Sequence, residues 1–143
     1  MSRPAAAGAG AAAALVWGAL EPIDIRIFRN DYSDVAVLGK LVTRTSAWPV
    51  AGIAFHILNG ALFGVAFDEV RRRTSLPPRR LALGLALAEH LALFPLSYLV
   101  DRTHPARGEP GVGQLFNRRG FAQATARHAL FGTVLGRIAA ARG

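Results

Sequence analysis

The stretch Trp48 to Phe67, WPVAGIAFHILNGALFGVAF, decides how the chain is read. It holds no charged residue, and its twenty residues match the ~20 that a helix needs to cross a bilayer. Yet it carries His56 and Asn59 near its middle and glycines at 52, 60 and 64. Spacings of three and four put Gly52, His56, Asn59, Gly60 and Gly64 on one helical face. The polar stripe is thus also the stripe where another backbone approaches closely.

Three more segments share this character. Residues 5–22 begin with AAAGAGAAAALVWGAL, in which Gly10, Ala14, Gly18 and Glu21 form a ridge of small residues with an acid at its end. Bulky Trp17 and Leu20 near each plausible signal-peptidase site favour a retained first helix over a cleaved leader. Pro22 removes the hydrogen bond to the carbonyl of Gly18 and is expected to kink or end that helix. Residues 81–100 are apolar around Glu89 and His90, with Pro95 inside. Residues 120–138 follow a capping Asn117 and enclose Gln123, Arg127 and His128. Between the first two segments, Ser33 or Asp31 caps a short amphipathic helix over Asp34 to Thr43, suited to the membrane surface. The expected fold is all-α: a four-helix transmembrane bundle with spans at about 5–22, 48–67, 81–100 and 120–138, in one domain, plus a short interfacial helix between spans one and two.

The net charge is +8, but apart from Arg127 the basic residues lie between the apolar runs or at their edges. That is the placement of membrane proteins rather than a nucleic-acid face. The chain has no cysteine, which excludes disulfides and thiolate metal sites. Five arginines crowd the connector between spans two and three, at positions 71, 72, 73, 79 and 80. Their density places that loop, and with four spans both termini, in the cytoplasm.

His56-xxx-Gly60-xxx-Gly64 recurs as His128-xxx-Gly132-xxx-Gly136. The helix before each carries an acid and a later proline: Glu21 with Pro22, then Glu89 with Pro95. Two readings of this recurrence stand: a duplicated helical hairpin, with spans three and four a copy of spans one and two, or chance in a chain rich in glycine and alanine. With a rise of ~1.5 Å per residue, His56 and His128 each lie about 12 Å from the start of their helices, level with one another. Glu89 and His90 reach the same depth from the other side.

Ionisable groups at that depth face the bundle and find partners. One reading joins Glu21, Asn59, Glu89, His90, Arg127 and His128 in a polar network that fixes helix packing, with Glu89 cancelling the charge of Arg127, and no cofactor. A second gives His56 and His128 to a b-type haem, or Glu89, His90, His56 and His128 to a divalent metal. A third uses them as a path for protons or a small solute. Ser97 lacks a triad, so catalysis is not expected. Besides the lipid bilayer, the glycine ridges suit another membrane protein or a second copy as partner. The network reading, in a non-catalytic structural or accessory membrane component, is the principal expectation.

The segments WGALEPIDIRIF, YSDVAVLGKLVTR, HILNGALFG, AEHLALFPL and RRGFAQATARHALFG resemble uncharacterised four-helix membrane proteins found in actinobacteria. The resemblance implies a bacterial inner-membrane location and carries no activity over to these residues.

Overall fold

A computed structural model describes residues 1–142. Six α-helices follow in order: α1 Arg3–Phe28, α2 Asp34–Val42, α3 Trp48–Arg71, α4 Pro78–Leu93, α5 Ser97–Thr103 and α6 Arg118–Ala141, with a 3-10 turn Phe94–Leu96 joining α4 to α5. Among the described residues the regular structure is all-helical apart from a single bridge between Tyr32 and Val112. Three helical stretches are long and apolar enough to cross a membrane: Arg3–Phe28, Trp48–Arg71 and Pro78–Thr103. Helix α6 has 24 residues but encloses Gln123, Arg127, His128 and Arg137, and it falls short of that apolarity.

The ends of the helices follow local chemistry. Ser2, Ser33 and Asn117 accept hydrogen bonds from the first free backbone amides of α1, α2 and α6. Of the two outcomes expected at Pro22, the end of α1 does not occur. The helix runs through it to Phe28, and Arg29 closes it in the left-handed conformation, its N–H bonding the Ile25 carbonyl. Packing against neighbours on two sides sustains a helix across one missing hydrogen bond. Pro95 acts more locally, tightening one turn into 3-10 geometry between α4 and α5.

Helix α1 packs on α3 and α6, α4 packs on α6, and α2 packs on α3. The α1–α3 and α4–α6 pairs are antiparallel and meet through the glycines of the repeated motif. A Cβ on Gly10 would stand 2.0 Å from the Gly60 carbonyl oxygen, and one on Gly64 would stand 2.2 Å from that of Ala6. In the second pair, Gly132 meets Ala82, Leu83 and Ala86, and Gly136 meets Arg79 and Ala82. Adding 72 to each residue number carries the Gly60–Ala14 contact onto Gly132–Ala86, and Gly18 beside His56 onto His90 beside His128.

The connector after α1 folds back along it, which amphipathicity alone does not predict. Ser33 and Asp34 return to the level of Glu21. The N-terminus of α2 thus dips between the long helices, and Gly39 and Gly52 let α2 lie against α3. Residues 104–117 cover α2 from outside. His104 Nδ1 accepts from the Ala106 amide, so its Nε2–H donates to the Val37 carbonyl, at 2.9 Å. Lys40 donates to the Pro110 carbonyl, and Ala36, Ala106 and Val112 form a small core beneath.

Candidate functional site

Arg127, 2% exposed, is the centre of the polar interior. Its Nε and Nη2 form a two-pronged contact with the Asp24 carboxylate, both at 2.6 Å. Nη1 donates to Asp34 at 2.9 Å and stands 3.6 Å from Glu21, while Nη2 also reaches the Tyr32 carbonyl at 2.8 Å. The guanidinium lies over the Tyr32 ring, 4.7 Å from its centroid. Four of the five N–H directions of the planar fork therefore find a hydrogen-bond acceptor, and the fifth lies on the side of Glu21.

Three carboxylates around one cation leave an excess of negative charge, and neutral donors spread it. Trp17 Nε1 donates to Asp34 at 2.9 Å, and the Tyr32 hydroxyl donates to the other Asp34 oxygen. The Ser33 hydroxyl and the Asp34 amide donate to Glu21. Gln123, fully buried, donates to Asp24 and accepts from Asn30. Burial works to raise the Asp34 carboxyl, but Arg127, the Tyr32 hydroxyl and the nearby His56 and His128 outweigh it and hold it below the ordinary carboxylate range. Burial, then the Asp34 charge, push Tyr32 well above the usual phenol value.

A pH window of stability follows. Asp34 is depressed in the folded state, so its contribution is present above the unfolded carboxylate value, ~3.9, and is lost as pH falls through the folded value. Tyr32 is raised, so its contribution is present below the unfolded value, ~10, and is lost as pH rises past it. Thermal unfolding in detergent should show a plateau with an acid limb that Asp34→Asn shifts and an alkaline limb that Tyr32→Phe shifts. Limbs unmoved by these variants would remove both groups from the account.

The histidines lie on the far side of Trp17. The indole packs edge-on against His56 and His128, at ring-centroid distances of 5.3 and 4.8 Å, and His90 lies 4.9 Å from His128. Hydrogen bonds set the tautomers of the neutral rings. His56 Nε2–H donates to the Ala14 carbonyl, at 3.0 Å. His128 Nδ1–H donates to the Ala124 carbonyl, so its Nε2 lone pair faces Glu89, 4.0 Å away. The Thr125 hydroxyl donates to the Phe121 carbonyl, so His90 Nε2–H donates to Thr125. His56, Asn59, Glu89 and His128 line one cavity of about 180 Å³, with Trp17, Asp34, Phe63 and Phe131 around it.

The sequence-level network is thus divided in two. Glu21 and Arg127 belong to the guanidinium cluster; Asn59, Glu89 and His128 belong to the cavity, with His90 behind His128. Arg127 takes Asp24, Asp34 and Glu21, not Glu89, because Asp34 folds back to α1 while Glu89, on α4, faces His128. Asp24, Asp34, Tyr32 and Trp17 carry the cluster and escaped the sequence reading, and Gln123, noted there within residues 120–138, joins them. The one local signal was Glu21 with Asp24, three residues apart on a helical face. A haem spanning His56 and His128 would have to displace Trp17 and break its bond to Asp34. Among the described residues, no three His, Cys, Asp or Glu side chains stand where they could share a metal ion. The Ser97 hydroxyl donates to the Phe94 carbonyl, in the turn at Pro95.

Trp17→Phe keeps the aromatic packing and removes the bond to Asp34. A hydrogen bond to a charged group contributes about 1.5–3 kcal/mol, so the variant should unfold at visibly lower temperature than the parent. An unchanged midpoint would mean that Tyr32 and Arg127 suffice for Asp34. No known family model matches the chain, no curated protein matches its sequence, and no solved structure matches its fold.

Proposed function

We infer that this chain is a small integral membrane protein, a non-catalytic structural or accessory component whose four long helices cross the bilayer as a bundle of two related hairpins. The observation that carries this reading is the Arg127 cluster. It is built from α1, the connector, α2 and α6, and its charged groups answer one another. Among the described residues every buried side-chain nitrogen and oxygen has a hydrogen-bond partner. Such a cluster fixes which helices meet and in what register. It also supports α6 as a fourth span despite its lower apolarity, because Arg127 is neutralised and turned inward.

Arg3, the connector arginines and Arg137 and Arg142 gather at one end of the bundle, where Arg142 reaches the Ala5 carbonyl. That end is the cytoplasmic one in a bacterial inner membrane. The protein has no cysteine, so single cysteines report topology directly. Arg3→Cys, Ser75→Cys and Ala141→Cys should be shielded from an impermeant maleimide in intact cells, and Ser46→Cys and Arg107→Cys should be labelled. Labelling of Ala141→Cys but not Arg3→Cys would mean that α6 does not cross, and would end the four-span reading.

A further inference from the structure

The two helix pairs meet along seams that the 72-residue correspondence makes equivalent: α1 against α6, and α4 against α3. The first is closed by Glu21 and Asp24 facing Gln123 and Arg127. At the equivalent positions the second has Leu93 and Leu96, and Ala51 and Phe55. None of these is polar, and α3 and α4 make much less contact than α1 and α6. Leu93, Leu96 and Phe55 are about half exposed along the open seam. The cavity lined by Asn59, Glu89 and His128 lies in this gap.

Its polar lining is rich in acceptors. Asp34 is already balanced by Arg127. No lysine or arginine pairs with Glu89; His128 Nε2 stands 4.0 Å from it, while His128 Nδ1–H is taken by the Ala124 carbonyl. Asn59 is exposed in the gap and adds a carboxamide oxygen. The rest of the wall includes Trp17, Phe63 and Phe131, apolar rings that suit a short carbon end. At about 180 Å³ the space is near that of an apolar cavity of ~150 Å³ that takes benzene, which limits an occupant to a few carbons.

We propose that the cavity between α3 and α4 binds a small primary ammonium ion, its three N–H bonds answered by the Glu89 carboxylate, the His128 Nε2 lone pair and the Asn59 carboxamide oxygen, with its carbon end against Trp17, Phe63 and Phe131. The ion supplies the positive charge that Arg127 supplies on the other seam. This goes beyond the structural role inferred above and does not depend on it.

The test is a titration of the detergent-purified full chain with methylammonium and ethylammonium chloride, followed by tryptophan fluorescence. A Trp48→Phe background leaves Trp17, in the cavity wall, as the reporter. A saturable change is expected, weakened at least tenfold by Glu89→Gln and several-fold by Asn59→Ala, and unaffected by Glu69→Gln. Circular dichroism checks that each variant is folded, and Asn59→Ala, at an exposed position, keeps the test open if Glu89→Gln is not. Tetramethylammonium has the charge without N–H donors and should give no such change, nor should sodium chloride at the same ionic strength. An equal response to tetramethylammonium or sodium, no saturable response to either amine, or full binding by folded Glu89→Gln or Asn59→Ala protein would overturn the proposal.

Discussion

Arg127→Met should cost about 3–5 kcal/mol, the loss expected when one partner is removed from a buried ion pair. That is a large share of the ~5–15 kcal/mol that holds a typical domain together. The cost comes less from the contacts removed than from what they leave behind. Asp24, Asp34 and Glu21 would remain in the interior with no cation among them. Arg127→Lys should recover little, because a single ammonium cannot reproduce the two-pronged bond to Asp24 while reaching Asp34 and the Tyr32 carbonyl. Combining Arg127→Met with Asp24→Asn and Asp34→Asn should restore part of the loss by removing the stranded charge. Unfolding of purified protein in mixed micelles, followed by circular dichroism, measures all three. An Arg127→Met protein as stable as the parent would show that the cluster does not hold the fold.

The second large effect is one of sign. Gly10→Ala puts a methyl group 2.0 Å from the Gly60 carbonyl oxygen, a backbone atom that cannot turn aside. Helices α1 and α3 must separate, at a cost of about 1–3 kcal/mol or more. Gly84→Ala puts the same methyl group on α4 with nothing within 4 Å. There the better helix propensity of alanine, up to ~1 kcal/mol, is the main term, so that variant should be neutral or slightly more stable. The same unfolding assay compares the two. Equal destabilisation would mean that glycine acts through the helix backbone generally, and not through the α1–α3 contact.

Much of the secondary structure was legible beforehand. Ser33 and Asn117 were readable as caps because a cap concerns an oxygen and an amide two or three residues on. The His-Gly-Gly face of α3 was readable because i+4 neighbours share a face in any helix. Pro22 shows the limit of such rules. Its missing hydrogen bond is a local fact, but whether the helix continues past it depends on the neighbours packed on α1. The candidate site was half legible in the same sense. Asn59, Glu89 and His128 were identified by their depth in apolar runs, and depth follows from counting residues. The partner of Arg127 was misassigned because depth says nothing about azimuth.

By itself, then, the sequence determined where the long helices begin to within a few residues, the small-residue ridges and the presence of polar groups deep in apolar segments. All of these are set by neighbours within one or two turns. Only the tertiary structure decided that the connector folds back to bring Asp34 beside Glu21, that Arg127 meets Asp24 across 103 residues of chain, and that Trp17 separates the guanidinium from the histidines. It also decided that one seam of the bundle closes on charge while its counterpart stays open. Those outcomes depend on how whole helices turn toward one another, and that rotation is a compromise among all their contacts at once, which no local stretch of residues encodes.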